Sequence, residues 1–403
     1  MGYTRIGTPQ QEPQLSPEYS EARRRSAWIL PLGLFILTVI STTMAGAGWI
    51  GKNFLEVNNW VYGIQYSCLI LTFLASHEFG HYFAAKYHNV DATLPYFIPV
   101  PPILMPFGTA GAVIRTRTAI MTRKALFDIG VAGPIAGFVV CVAFLMIGFS
   151  TLPSIEFLYQ IHPEYRLFGG GIPEYGLRFG DTILYAFLSK VMVLNPDTFV
   201  PPMNEMYHYP FLCVGWFGLF VTSLNLLPIG QLDGGHIVHA MFGEKQALIG
   251  RIVWWGIVVL ALGSILSYVH GKIMYDSPDS LYMFFQSMLL PALNALHTHL
   301  PWYYGAWGGW VFWAIIMRLF IGLEHPPIDD PEPIGTPRML VGWLAVVILV
   351  VSFSYNGIFE IEPTEENAVP KNRPSKKGEM TFQHTILPHV PQNPQQHGSY
   401  LHK

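Results

Sequence analysis

Residues 27–46 read AWILPLGLFILTVISTTMAG, twenty positions without an Asp, Glu, Lys or Arg. At 1.5 Å of rise per residue, a helix of this length spans about 30 Å, the hydrocarbon thickness of a bilayer. Arg23, Arg24 and Arg25 precede it and favour a cytoplasmic N-terminus. Ala45-Gly46-Ala47 resembles a signal-peptide cleavage site, but the apolar run exceeds the roughly 7–15 residues of a signal-peptide centre. The stretch reads as an uncleaved membrane helix.

Most of the 403-residue chain has the same character. It is 51% hydrophobic and 12% charged, about half the charge of an ordinary globular domain. Residues 1–25 and 356–403 hold 17 of the 49 charged residues, leaving 32 for the 330 residues between them. Further spans are expected near 59–84, 127–150, 209–229, 250–269, 307–323 and 339–355. The fold class is therefore an all-α polytopic membrane protein with about seven transmembrane helices. The count ranges from six to eight because Pro291 interrupts the apolar stretch 281–299 and His297 and His299 end it. Arg115, Arg117, Arg123 and Lys124, and later Lys245 and Arg251, mark the cytoplasmic loops.

This pattern divides the chain into a disordered cytoplasmic tail at 1–25, a membrane domain at 26–355 and a disordered tail at 356–403. The loop 151–208 is external, with helical character from Asp181 to Leu194, and is short for an independent domain. Net charge is −3 with no basic stripe, which excludes nucleic acid as a partner. Cys68, Cys141 and Cys213 lie in apolar runs and read as buried small hydrophobes, not as disulfides.

Charge inside a span is costly, so ionisable residues there point to function. The second expected span contains His77-Glu78-Phe79-Gly80-His81. Positions i and i+4 share a helix face, so both imidazoles can bind one metal with Glu78 beside its water. Zinc needs a third protein ligand. Asp233, in Asn225-Leu226-Leu227-Pro228-Ile229-Gly230-Gln231-Leu232-Asp233-Gly234-Gly235-His236, ends a span of the same direction and reaches the same depth. It could instead cap the next helix, and His236 or His239 could compete as ligands. Asn225 could contact substrate or a developing oxyanion, or satisfy backbone groups where the helix breaks. The Pro-rich 95–106 stretch and Gly-rich 108–111 could border a cytoplasmic entry to this site.

HEFGH followed by a membrane-embedded LDGGH resembles the site-2 protease family of intramembrane zinc metalloproteases, over roughly residues 59–243. The resemblance implies His77, His81 and Asp233 as ligands of one Zn2+ per chain, Glu78 as the catalytic base and Asn225 as a substrate or oxyanion contact. Gly130-Val131-Ala132-Gly133-Pro134-Ile135-Ala136-Gly137 is similar to the family's small-residue helix, and its Gly133 and Gly137 allow helices to approach closely. Pro106 to Ile114, and His325-Pro326-Pro327 with Asp329 and Pro331, look like a branch of bacterial and plastid members. The first stretch is implied to form a membrane-associated β-hairpin or edge strand after the catalytic helix. The loop 151–208 cannot hold the PDZ domain that many members carry.

The expected activity is hydrolysis of peptide bonds in transmembrane protein substrates near the cytoplasmic face of the lipid bilayer, with Glu78 activating zinc-bound water. A non-proteolytic metal-binding scaffold or transporter is the alternative. Glu12, Glu18 and Glu21 disfavour a transit peptide, so a bacterial cytoplasmic membrane is the expected location. Oligomeric state is not readable from the sequence.

Overall fold

The computed structural model describes residues 28–167, 170–274, 279–328 and 330–362. The N-terminal tail at 1–25, most of the C-terminal tail and Asp329 lie outside the described residues. Among those described, the chain is mainly helical. It contains α1 (Ile29–Trp49), α2 (Ile64–Tyr87), α3 (Arg123–Ser150), α4 (Glu156–Ile161), α5 (Ile183–Met192) and α6 (Pro210–Asn225). These are followed by α7 (Asp233–Phe242), α8 (Lys245–Ile273), α9 (Ser280–His299), α10 (Gly309–Ile316) and α11 (Thr336–Ser352).

Helix starts follow local chemistry. The Thr122 hydroxyl accepts from the Ala125 amide at 3.2 Å, and Thr182 accepts from Tyr185 at 3.1 Å, each satisfying an amide left free in a first turn. Pro210 opens α6, where a missing N–H has no cost.

Three helices, α1, α3 and α8, are long and apolar enough to cross a membrane. The helices at the other expected spans are shorter or more polar. α6 has 16 residues and α11 has 17, while α2 carries the HEFGH sequence. Pro291 does not interrupt its segment but lies inside the continuous helix α9. Large apolar side chains face outward, including Ile36 and Leu37 of α1, Ile252 and Trp255 of α8 and Trp343 and Val347 of α11. Such a belt is a liability in water and is compatible with lipid.

The helices that carry the motifs pack closest. α3 lies against both α2 and α6, and Phe73, Cys141, Leu145, Trp216 and Leu219 are fully buried where they meet. A Cβ on Gly218 would fall 2.2 Å from Cys141 Sγ, so this crossing requires a glycine. Cys141 and Cys213 are buried as expected, whereas Cys68 faces outward from α2 and is exposed.

Two antiparallel two-stranded sheets complete the described structure, so the fold is not purely helical. β1 (Tyr96–Pro99) pairs with β2 (Thr109–Val113) in the register Tyr96 to Val113, Phe97 to Ala112 and Pro99 to Thr109, with a bulge between Phe97 and Pro99. The pairing extends below the strands, where the Thr93 amide donates to the Arg115 carbonyl. At its other end the hairpin reaches Tyr66 near the start of α2, whose hydroxyl donates to the Phe107 carbonyl. The expected edge strand is thus present and lies along α1, with Phe97 against Phe35.

β3 (Gly176–Phe179) pairs with β4 (Ile358–Ile361), from Gly176 opposite Ile361 to Phe179 opposite Ile358. This is a correction to the tail expected from residue 356, because its first residues form a strand. The pairing also puts the end of the described chain at the same end of the bundle as the 151–208 loop.

Candidate metal centre

The HEFGH turn lies in the second half of α2, with His77, Glu78 and His81 all buried. α6 ends at Asn225, and the chain breaks before α7. The Gly230 amide donates to the Leu323 carbonyl, and Gly230 adopts φ +50°. A Cβ on Gly234 would fall 2.0 Å from the Leu226 carbonyl oxygen, so the chain folds back upon itself there. Buried Gln246 ties this break to the segment after α10. Its Nε2 donates to the Pro228 and Leu323 carbonyls, and its Oε1 accepts from the His325 amide at 2.9 Å.

These constraints bring Asp233 to α2. His77 Nε2 lies 3.3 Å and His81 Nε2 3.4 Å from Asp233 Oδ2, and the two Nε2 atoms are 3.1 Å apart. Two ligand atoms held tetrahedrally at about 2.0–2.1 Å from one zinc ion are separated by about 3.3 Å. The triangle fits that ion. His81 Nδ1 donates to the Ile129 carbonyl at 2.7 Å, which leaves its Nε2 lone pair aimed at the centre. His77 Nδ1 is buried without such a partner, and the ring is placed by packing beside Phe73.

The alternative role for Asp233 as a helix cap is not observed. Leu232 is the N-cap, without a side-chain cap, and Asp233 occupies the first helical position. His236 and His239 are not part of the triangle. The His325 Nδ1–H donates to the Pro326 carbonyl, so His325 Nε2 accepts from His236 Nδ1 at 2.8 Å. Burial holds the His325 imidazole below its ordinary pKa, and its ring stacks on His239 at 4.3 Å.

A cavity of about 690 Å3 opens onto the triangle. Glu78 and Asn225 line it with His77, His81 and Asp233, and Asn225 Nδ2 lies 3.5 Å from His77 Nε2. One wall is the Ala112-Val113 end of β2 with Ile114 just past it, continuing to Thr116, and the Ile114 backbone lies beside the Glu78 carboxyl. The sheet has two strands, so the second edge of β2 carries no strand among the described residues. The lining residues of this segment fall between Ala112 and Ile120, and none comes from 95–106 or 108–111.

Sequence reasoning did not anticipate the placement of α3 by Asp128. Arg338 Nε and Nη2 donate to its two carboxylate oxygens at 2.8 and 2.7 Å, and His88 Nε2 lies 2.8 Å away. The only signal was an acidic residue near the start of an apolar run. Gln246 left even less, a single amide after a turn.

Residues 65–264 match the profile of Peptidase family M50. This match places the chain in peptidase family M50. Among curated relatives, the probable zinc metalloprotease EGY2 of Oryza sativa subsp. indica is 25% identical over 225 residues, covering 54% of this chain and 37% of its own. The probable zinc metalloprotease EGY1 of Arabidopsis thaliana is 34% identical over 183 residues, covering 45% of this chain and 30% of its own. The chain thus spans about a third of the length of the relatives it matches. Both relatives are chloroplastic, which gives the expected bacterial cytoplasmic membrane no support. No solved structure matches.

Proposed function

We propose that this M50 chain is a membrane zinc metalloprotease that hydrolyses peptide bonds of transmembrane protein substrates. The observation that carries this reading is the meeting of His77, His81 and Asp233 beside a buried glutamate, under the open edge of a strand. A zinc ion held by these residues supplies Lewis acidity, which polarises a carbonyl and makes water a stronger acid. Glu78 takes the proton of the attacking water and returns it to the leaving amine. Asn225 Nδ2 is the donor placed for the oxyanion that develops on the scissile carbonyl. Thr116, Thr118, Gln231 and His236 give the cavity the polar lining that water requires.

A helical substrate has its carbonyls engaged in its own hydrogen bonds and must be unwound before cleavage. The open edge of β2 provides the replacement partners. Backbone groups of Ala112 to Ile114 hold the substrate as an added strand and lay it past Glu78. A scaffold needs no base beside the metal, and a conduit needs ligands at several depths along one path.

The same reading takes seven helices across the bilayer. Between the loop that carries β3 and strand β4, four crossings are made by α6, by α8, by α10 with its continuation to Ile321, and by α11, which return the chain to the side it left. α9 remains on that side. The active centre lies at the opposite, basic end, the cytoplasmic side by charge.

Purified protein in detergent, given a model transmembrane substrate, tests the reading. Cleavage should stop on removal of metal by a chelator and return with zinc. Cleavage that persists in metal-free protein would overturn it.

A further inference from the structure

A second convergence of metal-binding side chains lies at the far end of the bundle, and none of the catalytic chemistry uses it. His162 follows α4 in the 151–208 loop, and Glu205 and His208 lie in the turn that leads into α6. Glu205 and His208 are 2% and 3% exposed, and the His162 side chain is 26% exposed. His162 Nε2 is 3.0 Å from His208 Nε2, while Glu205 Oε2 is 3.3 Å from His208 Nε2 and 3.7 Å from His162 Nε2.

The hydrogen bonds behind these atoms determine where the protons are. His208 Nδ1 faces the Trp49 carbonyl at 2.5 Å, and a carbonyl can only accept, so this nitrogen carries the hydrogen. His162 Nδ1 likewise donates to the Glu164 carboxylate at 2.9 Å. In the neutral rings both Nε2 atoms are therefore bare lone pairs, aimed at each other and at Glu205. The second carboxylate oxygen of Glu205, Oε1, accepts from the Tyr165 hydroxyl at 2.7 Å, which locks the group in place. Its Oε2 is buried and has no hydrogen-bond partner. Three acceptors thus meet with no hydrogen between them. One extra proton could serve only one pair of them, whereas a cation serves all three.

We propose that His162, Glu205 and His208 form a second metal site for a divalent transition ion, with zinc the expected occupant. Two imidazoles and one carboxylate are a borderline donor set that suits zinc and its neighbours. Their separations bracket the roughly 3.3 Å of a tetrahedral site. Glu164 behind His162, the Trp49 carbonyl behind His208 and Tyr165 behind Glu205 are the supporting partners such sites use to aim their ligands.

The site is separate from the catalytic centre. α6 runs 16 residues from Pro210, beside His208, to Asn225 in the catalytic cavity, a distance of about 24 Å. Fully buried Leu145, Trp216 and Leu219 fill the bundle between them, so the two sites are not stations on one conduit. The second ion is structural. It fastens the loop after α4 to the start of α6 and, through Trp49, to the end of α1.

The test is metal analysis of purified full-length protein after zinc loading and removal of free metal. Wild type should carry two zinc ions per chain. His162→Gln and Glu205→Gln should each carry one, as should the His77→Ala/His81→Ala double variant. Cobalt added to that double variant should give the visible absorption of a site with nitrogen ligands, and His162→Gln in the same background should remove it. His162 is partly exposed in a loop, so its variant decides the matter if Glu205→Gln does not fold. One zinc ion in wild type, kept in His162→Gln and lost in His77→Ala/His81→Ala, would overturn this inference alone. One ion kept in His77→Ala/His81→Ala and lost in His162→Gln would instead overturn the catalytic assignment.

Discussion

Gly133 of α3 lies directly against the imidazole of His81 on α2, so close that a Cβ on the glycine would sit 2.1 Å from Nε2. The atom displaced is the one aimed at Asp233. Gly133→Ala should therefore abolish zinc binding at the catalytic centre while leaving the helices formed. Gly137→Ala, whose nearest neighbours would be Phe73 at 3.1 Å and His77 Nδ1 at 3.3 Å, should have a milder effect. Zinc content of the two purified variants checks this, and equal retention in both would show that the contact does not govern the ligand.

Asp233→Ala removes one corner of the triangle. Zinc affinity should fall by more than the roughly 10–100-fold typical of losing a group that merely supports a ligand. His236→Ala should bind zinc nearly as wild type does, because its ring bonds to His325 instead. Competition with a chelator of known affinity measures both, and the reverse ranking would give the third position to His236.

Asp128 joins three elements through Arg338 and His88. Its carboxylate is about a quarter exposed, so each charged hydrogen bond falls at or below the lower end of the about 1.5–3 kcal/mol range. Asp128→Ala should lower the thermal midpoint in detergent more than His88→Ala, which removes only one of the bonds. Equal midpoints would mean that Arg338 contributes nothing.

Leu177 and Glu360 face each other across the β3–β4 pair. A Leu177→Cys/Glu360→Cys variant should cross-link under mild oxidation, seen as a change in gel mobility after cleavage of the chain between them. Reporters placed in the loop and after β4 should respond from the same side of the membrane. Responses from opposite sides would restore an eighth crossing.

The site was legible because charge is scarce in this chain. Glu78 and Asp233 stand out against apolar surroundings, and the i, i+4 spacing of His77 and His81 is a local rule that survives folding. The break before α7 was legible from Pro228, Gly230, Gly234 and Gly235, but its consequence for Asp233 as first helical residue required the contact with Leu226. The β3–β4 pair joins residues about 180 positions apart, and neither strand has a pattern that names its partner. His162 was hidden for the same reason. Only the Glu205 to His208 spacing of three is local, and without His162 it signals no more than a turn. Cys68 shows the limit of composition, since an apolar run that faces lipid and one that faces a core read alike.

Glu78→Gln removes the carboxylate proposed as the base and leaves His77, His81 and Asp233 in place. Metal content and cleavage of a model transmembrane substrate should be measured on the same purified sample. Zinc content should equal that of wild type with cleavage lost, and cleavage at the wild-type rate by zinc-loaded Glu78→Gln would show that Glu78 is not the base.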